Sequence, residues 1–321
     1  MLDNRAGQYK ADPVSIIKGE DGMTEISGKA AVVTGGGSGI GMGLAKELAK
    51  QGASVAIADI ILANAQKVAS AINASGGKAV AIECDVTDRA SVKAMKEAAN
   101  AALGPIQLVF ANAGATSFDA LVDMSDDDVD WIIDVNLMGV MRTTQAFLPD
   151  MIKAGGGHVC ATASMAGLLP GWIPTHAPYS AAKAGIIGLM MNLSIELGQH
   201  GIHTTSYCPG GVATGMKQNN AKYRPAKFGG PGEGEVHVSQ DSKDVAASQA
   251  FYTPAAVAPM VLDAVRNNRA FAFDHPEQRV YFRETYSGVV EACYDATEAW
   301  EREHGVPDAN PTGAVLLQPA G

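Results

Sequence analysis

From Lys29 to residue 275, short apolar runs alternate with stretches of helical period, and this rhythm constrains the chain more than any other feature. The runs "KAAVVTG", "SVAIADI", "KAVAIECDV", "IQLVFANAG", "GGHVCATAS" and "IHTTSYCPGG" are apolar without alternation, as strands covered on both faces are. A later run, "AFAFDH", has the same character. Between them, residues 39–51 place Ile40, Leu44 and Leu48 on one helical face, and longer helical stretches occupy 126–154 and 179–200. Strand and helix in strict alternation predict an α/β fold, with a doubly wound parallel sheet built from right-handed crossovers.

Two parts break the rhythm. Residues 1–28 form an N-terminal extension of weak periodicity, and 215–254 are rich in Gly, polar and charged residues, which reads as a lid. The expected organisation is an extension at 1–28, a single domain at 29–275 that includes the lid, and a C-terminal extension at 276–321. With 47% hydrophobic residues among 321, the chain can bury a large core, and its net charge of −10 argues against nucleic acid and anionic membranes as partners. No apolar run reaches the ~18 residues of a membrane span, and the first thirty residues lack the apolar block of a secretory leader. Cys84, Cys160, Cys208 and Cys293 are scattered without metal-ligand spacing, as in a reducing compartment. A cytoplasmic protein is expected, with no metal.

Two short motifs carry chemistry. "TGGGSGIG" (34–41) follows the first strand and opens the first helix, where bare backbone can approach a pyrophosphate at a helix N-terminus. Asp59 closes the second strand about 20 residues on, where a carboxylate accepts bonds from a ribose. It would repel a 2′-phosphate, and neither Ser38 nor Ile60 offers a cation, so NAD is expected rather than NADP. In "PYSAAK", Tyr179 and Lys183 stand one turn apart on one helix face, so an ammonium can favour the phenolate of a general acid/base.

Taken in order, Thr34-Gly35-x-x-x-Gly39-x-Gly41, Asn112-Ala113-Gly114, Asn136, Ser164, Tyr179-x-x-x-Lys183 and Pro209-Gly210 resemble the short-chain dehydrogenase/reductase family, single-domain branch, over residues 28–275. The resemblance implies a Rossmann fold and a catalytic set of Asn136, Ser164, Tyr179 and Lys183. Tyr179 would exchange the proton, Lys183 would lower its pKa and bind ribose hydroxyls, Ser164 would bond the substrate oxygen, and Asn136 would hold a water. Gly35, Ser38, Gly39, Ile40 and Gly41 would hold the nucleotide with Asp59 and Ile60. Asp85 and Val86 would meet the adenine, Asn112 and Gly114 would line the path, and Pro209, Gly210, Val212 and Thr214 would approach the carboxamide. The run "MAGLLPGWIPTHAP" makes the Ser164–Tyr179 interval longer than the family's usual dozen or so, which implies a longer loop over the substrate.

Phe118, Trp172 and Met216, with Leu168, Leu169, Ile173 and Tyr223, are the expected substrate-pocket residues, and they favour a bulky apolar or aromatic substrate. His176 reads as a solvated loop histidine, and Lys217, Lys222, Arg224 and Lys227 as a solvated charge run. The expectation is an NAD-dependent oxidoreductase interconverting a secondary alcohol and a ketone. The alternatives are an acyl-thioester ketoreductase and a non-catalytic dinucleotide-binding scaffold. The runs "DDDVDWIIDVNLMGV", "PYSAAKAG" and "YRPAKFG" further resemble dehydrogenases of benzylic alcohols in lignin-derived aryl ethers. The family resemblance also implies a homodimer or homotetramer built through the two long helices.

Overall fold

The protein is described by a computed structural model covering residues 22–116, 118–169, 171–216, 222–231 and 251–305. Contacts divide the chain into two units, residues 1–276 and 277–321.

In the first unit the strands are β1 (Ala30–Thr34), β2 (Ser54–Asp59), β3 (Lys78–Glu83), β4 (Leu108–Ala111), β5 (Gly157–Thr162), β6 (Ile202–Cys208) and β7 (Phe271–Phe273). All pair in parallel in the order β3-β2-β1-β4-β5-β6-β7. This is the doubly wound sheet the alternation predicts. Every residue of β1 and of β4 is buried, which explains why those runs are continuously apolar. The chain winds outward from β1 to β3, then returns to β4 on the other side of β1. A crevice therefore opens at the carboxyl ends of β1 and β4, the switch point where doubly wound sheets bind ligands.

The helices of this unit are α1 (Gly39–Lys50), α2 (Leu62–Ala74), α3 (Arg89–Leu103), α4 (Asp126–Ile133), α5 (Gly139–Ala154), α6 (Ala177–Gly198) and α7 (Pro254–Arg266). Local chemistry sets several of their starts. Asp88 caps α3 through the Ala90 amide at 2.9 Å, and Ser125 and Asp128 form a reciprocal capping box on α4. Thr253 caps α7 ahead of Pro254. The long helix expected over 126–154 is interrupted by a π-helical turn at Asp134–Met138 that contains Asn136. One side of the sheet packs on Leu44, Leu48, Val68, Val261 and Leu262 of α1, α2 and α7.

At the amino ends of the strands, residues 22–28 are tied down rather than loose. The Thr24 amide donates to the Arg266 carbonyl at 2.9 Å, and the Thr24 hydroxyl meets His158 Nδ1 at 3.0 Å and Asn268 Oδ1 at 2.6 Å. His158 also meets the Thr205 hydroxyl at 2.8 Å, and burial pushes its imidazole down to about 3, so it stays neutral. Residues 1–21, most of the expected lid and residues 306–321 lie outside the described residues. The second unit is helical by itself, with α8 (Arg279–Phe282), a π-helical turn at Arg283–Ser287 and α9 (Gly288–His304). Among the described residues no helix is long and apolar enough to cross a membrane.

Candidate functional site

The crevice at the carboxyl ends of β1 and β4 is lined at one end by the glycine loop. Gly35, Ser38, Gly39 and Ile40 border it, with Asp59 and Ile60 at the end of β2 and Asp85 and Val86 after β3. Gly41 lies behind the loop, where a Cβ would fall 2.2 Å from the Gly35 carbonyl oxygen. Only a glycine lets the first turn of α1 fold back on the loop this closely. Asp59 is buried, and its two oxygens accept from the Gly37 amide at 2.9 Å and the Ile61 amide at 3.0 Å. Burial raises its pKa, and these two amide bonds oppose the rise. The carboxylate therefore shapes the glycine loop and keeps lone pairs for a ligand in the crevice.

The middle of the crevice is bare backbone. Asn112 donates from Nδ2 to the Thr34 carbonyl at 3.1 Å and accepts at Oδ1 from the Thr162 hydroxyl at 2.9 Å, which ties β1, β4 and β5 together. A Cβ on Gly114 would fall 2.7 Å from Asn136 Oδ1, so the floor there accepts no side chain. Asn136 is fully buried and donates from Nδ2 to the Ala115 carbonyl at 2.9 Å and the Ile132 carbonyl at 2.8 Å. Its Oδ1 is buried without a hydrogen-bond partner among the described residues.

At the far end Pro178 stands in the first turn of α6, and Tyr179 and Lys183 leave one face of that helix. Ser164 caps a short 3-10 turn after β5, accepting from the Ala166 amide at 3.1 Å, and its hydroxyl bonds the Tyr179 phenol. Lys183 is 2% exposed, donates to the Thr162 carbonyl at 2.7 Å, and lies 5.3 Å from the centre of the Tyr179 ring. The expected lowering of the tyrosine pKa is not what this arrangement gives. Burial pushes the phenol up to about 12 against the Ser164 bond. It also pushes the lysine down to about 7, opposed by the nearby Cys208 thiol. Desolvation outweighs the ammonium's influence because the lysine is spent on a carbonyl and both groups lack water.

Pro209 and Thr214 border the same end. Gly210 donates its amide to Asp274 at 2.8 Å, and Val212 bridges Tyr252 through the backbone, so these two hold the loop after β6 rather than face the crevice. The glycine loop, the Asp59 carboxylate, Tyr179 and Lys183 thus line one crevice, with Asn136 behind Gly114 and Ser164 behind Tyr179.

Residues 29–225 match the family model described as short chain dehydrogenase. The chain belongs to the short chain dehydrogenase family. Oxidoreductase UcpA of Escherichia coli is 36% identical over 200 residues, covering 62% of this chain and 75% of that one. C alpha-dehydrogenase of Sphingobium sp. is 29% identical over 272 residues, covering 84% and 88%. A short chain dehydrogenase/reductase of Burkholderia phymatum, solved in complex with NAD, superposes with a TM-score of 0.76 at 28% identity, covering 84% of this chain and 97% of that one. This short chain dehydrogenase is therefore an oxidoreductase by family.

Around that shared centre this dehydrogenase departs from its sequence reading in three places. His176 is not solvated. It is buried and stacked on Tyr179, with Phe118 packed on it as well. Arg224 and Lys227 are not a free charge run. Arg224 pairs with Asp128 at 2.5 Å and covers the Trp131 ring, while Lys227 pairs with Asp134 at 3.3 Å and donates to the Thr87 carbonyl at 2.9 Å. Lys222 is exposed, and Lys217 lies outside the described residues. Of the expected substrate contacts, Met216 and Tyr223 border the crevice. Phe118 is buried behind His176, and Trp172 is half-buried off the crevice wall. Trp131, Val135 and Pro225 border it instead. Their sequence signal is membership of two runs that carry the narrower resemblance, "DDDVDWIIDVNLMGV" for the first two and "YRPAKFG" for the third.

Proposed function

We propose that this chain is an NAD-dependent dehydrogenase that interconverts a secondary alcohol and a ketone on a bulky apolar or aromatic substrate. The observation that carries the reading is that Tyr179 and Lys183, with Ser164 beside Tyr179, stand at one end of a crevice whose other end is a glycine loop held by Asp59, with the unpartnered Asn136 Oδ1 behind Gly114 between them. The crevice fits a dinucleotide. The glycine loop and Gly114 leave backbone where any Cβ would intrude, and Lys183 is the sole cationic side chain among the described residues that line it. A site that held a 2′-phosphate would place an arginine or lysine near Asp59.

When bound, the nicotinamide supplies the acceptor for the hydride of the alcohol carbon. The chain's own residues handle the oxygen. Ser164 donates to the substrate oxygen and stabilises charge developing there. Tyr179 takes the hydroxyl proton in oxidation and returns it to the carbonyl in reduction. A phenol pushed up by burial is a poor base alone, so Tyr179 would release its proton while Lys183 carries its charge. Asn136 Oδ1, held by the π-helical turn, offers an acceptor for the water that would link Lys183 to solvent. Glycine loop, Asp59 and Asp85 carry the nucleotide, with Tyr223 beside them on Asn64, and Met216 and Trp131 flank the substrate.

The similarity to C alpha-dehydrogenase supports benzylic alcohols as the first class to try. We also propose that residues 29–275 are the catalytic unit and that the chain forms a homo-oligomer through α4–α5 and α6. The test is a panel of benzylic aryl-ether alcohols, hydroxysteroids, small cyclic alcohols and a 3-hydroxyacyl thioester, followed at 340 nm with NAD⁺ and NADP⁺ separately. Turnover with NAD⁺ and one bulky class is expected. Preference for NADP⁺ would refute the cofactor reading, and the thioester as best substrate would promote the ketoreductase.

A further inference from the structure

Three rings lie in a single stack beside the crevice. The His176 imidazole is parallel to the Tyr179 phenol, with centres 4.3 Å apart and planes 7° apart. On its other face lies Phe118, at 4.7 Å and 16°. The edge of the imidazole is fixed as well, because Nε2 lies 2.9 Å from the Thr116 hydroxyl. All three rings and Thr116 are buried.

The backbone is bent to put the histidine there. Thr175, directly before it, has φ +58, a left-handed conformation that a β-branched residue adopts only against steric cost. Its hydroxyl bonds the Pro174 carbonyl at 2.6 Å, which holds the turn. His176 then serves as the N-cap residue of α6, its carbonyl accepting from the Ser180 amide at 2.9 Å. Its side chain makes no capping bond, so the ring is free of helix duty and turned to the stack.

Tyr179 needs such support. It sits in the first turn of α6, and among the described residues the Ser164 hydroxyl is the polar group that acts on its oxygen. A single polar neighbour at the oxygen leaves the ring free to rock. A parallel neighbour on the ring face removes that freedom, since offset-stacked rings resist tilting. Thr116 and Phe118 follow β4 in the same loop whose Ala115 carbonyl receives Asn136. The stack therefore registers the start of α6 against the loop that carries the rest of the site.

We propose that His176 is a positioning residue for Tyr179: clamped between Phe118 and Thr116, it sets the plane in which the phenol meets the substrate oxygen. This rests on Tyr179 being the acid/base group. Displacement of a reacting group by about 1 Å can cost on the order of 100-fold in rate.

The test compares His176→Ala, His176→Phe and Thr116→Val in the full chain, using the alcohol that the wild type oxidises best with NAD⁺. His176→Ala should lower kcat by about 10- to 100-fold, with NADH affinity by fluorescence titration changed less than about threefold. His176→Phe, which restores a ring of similar outline, should recover most of that loss. Thr116→Val should fall between the two. A second measurement needs no substrate: the ring protons of Tyr179, assigned by Tyr179→Phe in ¹³C-aromatic spectra, should be shifted upfield by the imidazole, lose that shift in His176→Ala and keep it in His176→Phe. Full kcat in His176→Ala, equal loss in His176→Ala and His176→Phe, or kcat and NADH affinity falling together would overturn the proposal. A wild type silent with every alcohol would count against the functional reading instead. The ring-proton shifts then decide the stack, and their persistence in His176→Ala would overturn it.

Discussion

The two ends of the crevice are built by different means. The nucleotide end is made of backbone: a glycine loop between β1 and α1, held by Asp59 at the end of β2, which accepts from the loop's own Gly37 amide and from the Ile61 amide two residues on. The substrate end is made of side chains that meet from far apart. Arg224 reaches Asp128, and Phe228 packs with Trp131 and Tyr179. Backbone geometry admits one residue type at a given place, whereas a side-chain contact can be made by many pairs. The first end therefore suits an invariant ligand part and the second a part that differs between enzymes. Substitutions at the two ends should separate cofactor binding from turnover and substrate binding.

The largest effect is expected at the junction of the two ends. Lys183→Met should lower turnover by about 100-fold or more, since proton transfer to a positioned group contributes on that order. It should also change the pH dependence of stability. In the folded chain Lys183 titrates near 7 against an ordinary value of 10.5. The unfolded lysine binds more protons between those values, so the contribution of Lys183 to stability rises with pH across that window, against the opposite contribution of the buried Cys84, Cys160 and Cys208 thiols, which burial pushes up. Urea unfolding at pH 7 and pH 10 should show a change in stability that is more favourable, or less unfavourable, in the wild type than in the variant. An identical pH dependence in both would mean that Lys183 is not held down by burial.

Next comes the glycine loop. The added methyl in Gly41→Ala must displace the Gly35 carbonyl, and overpacking of this kind costs about 1–3 kcal/mol. NADH affinity should fall by about 10- to 100-fold, while the Tyr179 ring-proton shift stays in place. Unchanged NADH affinity would show that the loop has room the structure denies. The smallest effect belongs to the latch. Arg224 and Asp128 are both partly solvated, and such pairs contribute under about 1 kcal/mol. Arg224→Ala should move the unfolding midpoint by about 2 °C or less, leave NADH affinity alone, and raise KM for the alcohol. A rise in NADH Kd as large as that in KM would erase the distinction between the two ends.

That distinction also explains what the sequence disclosed. Strand order, the glycine loop, Asp59 and the Tyr179–Lys183 pair are local patterns, legible because period, spacing and residue type suffice to read them. Ser164 and Asn136 are legible only through the order of motifs, and the structure sets Ser164 beside Tyr179 and Asn136 behind Gly114. His176, Arg224 and Lys227 misled because their partners, Thr116, Asp128 and Asp134, lie far away in sequence, so nothing local marks them as buried or paired. Phe118 was expected on the pocket wall and instead backs the histidine, a choice made by packing after β4. The tyrosine's pKa was misjudged for a related reason. Spacing puts an ammonium beside a phenol, but only the burial of both reveals which influence wins.

The most direct test of the account is Tyr179→Phe, assayed for alcohol oxidation with NAD⁺ and titrated with NADH in parallel. The account predicts that turnover disappears while NADH affinity stays within a few-fold of wild type, because the phenol oxygen moves the proton and the glycine loop holds the nucleotide. Turnover that survives the loss of that oxygen would contradict it.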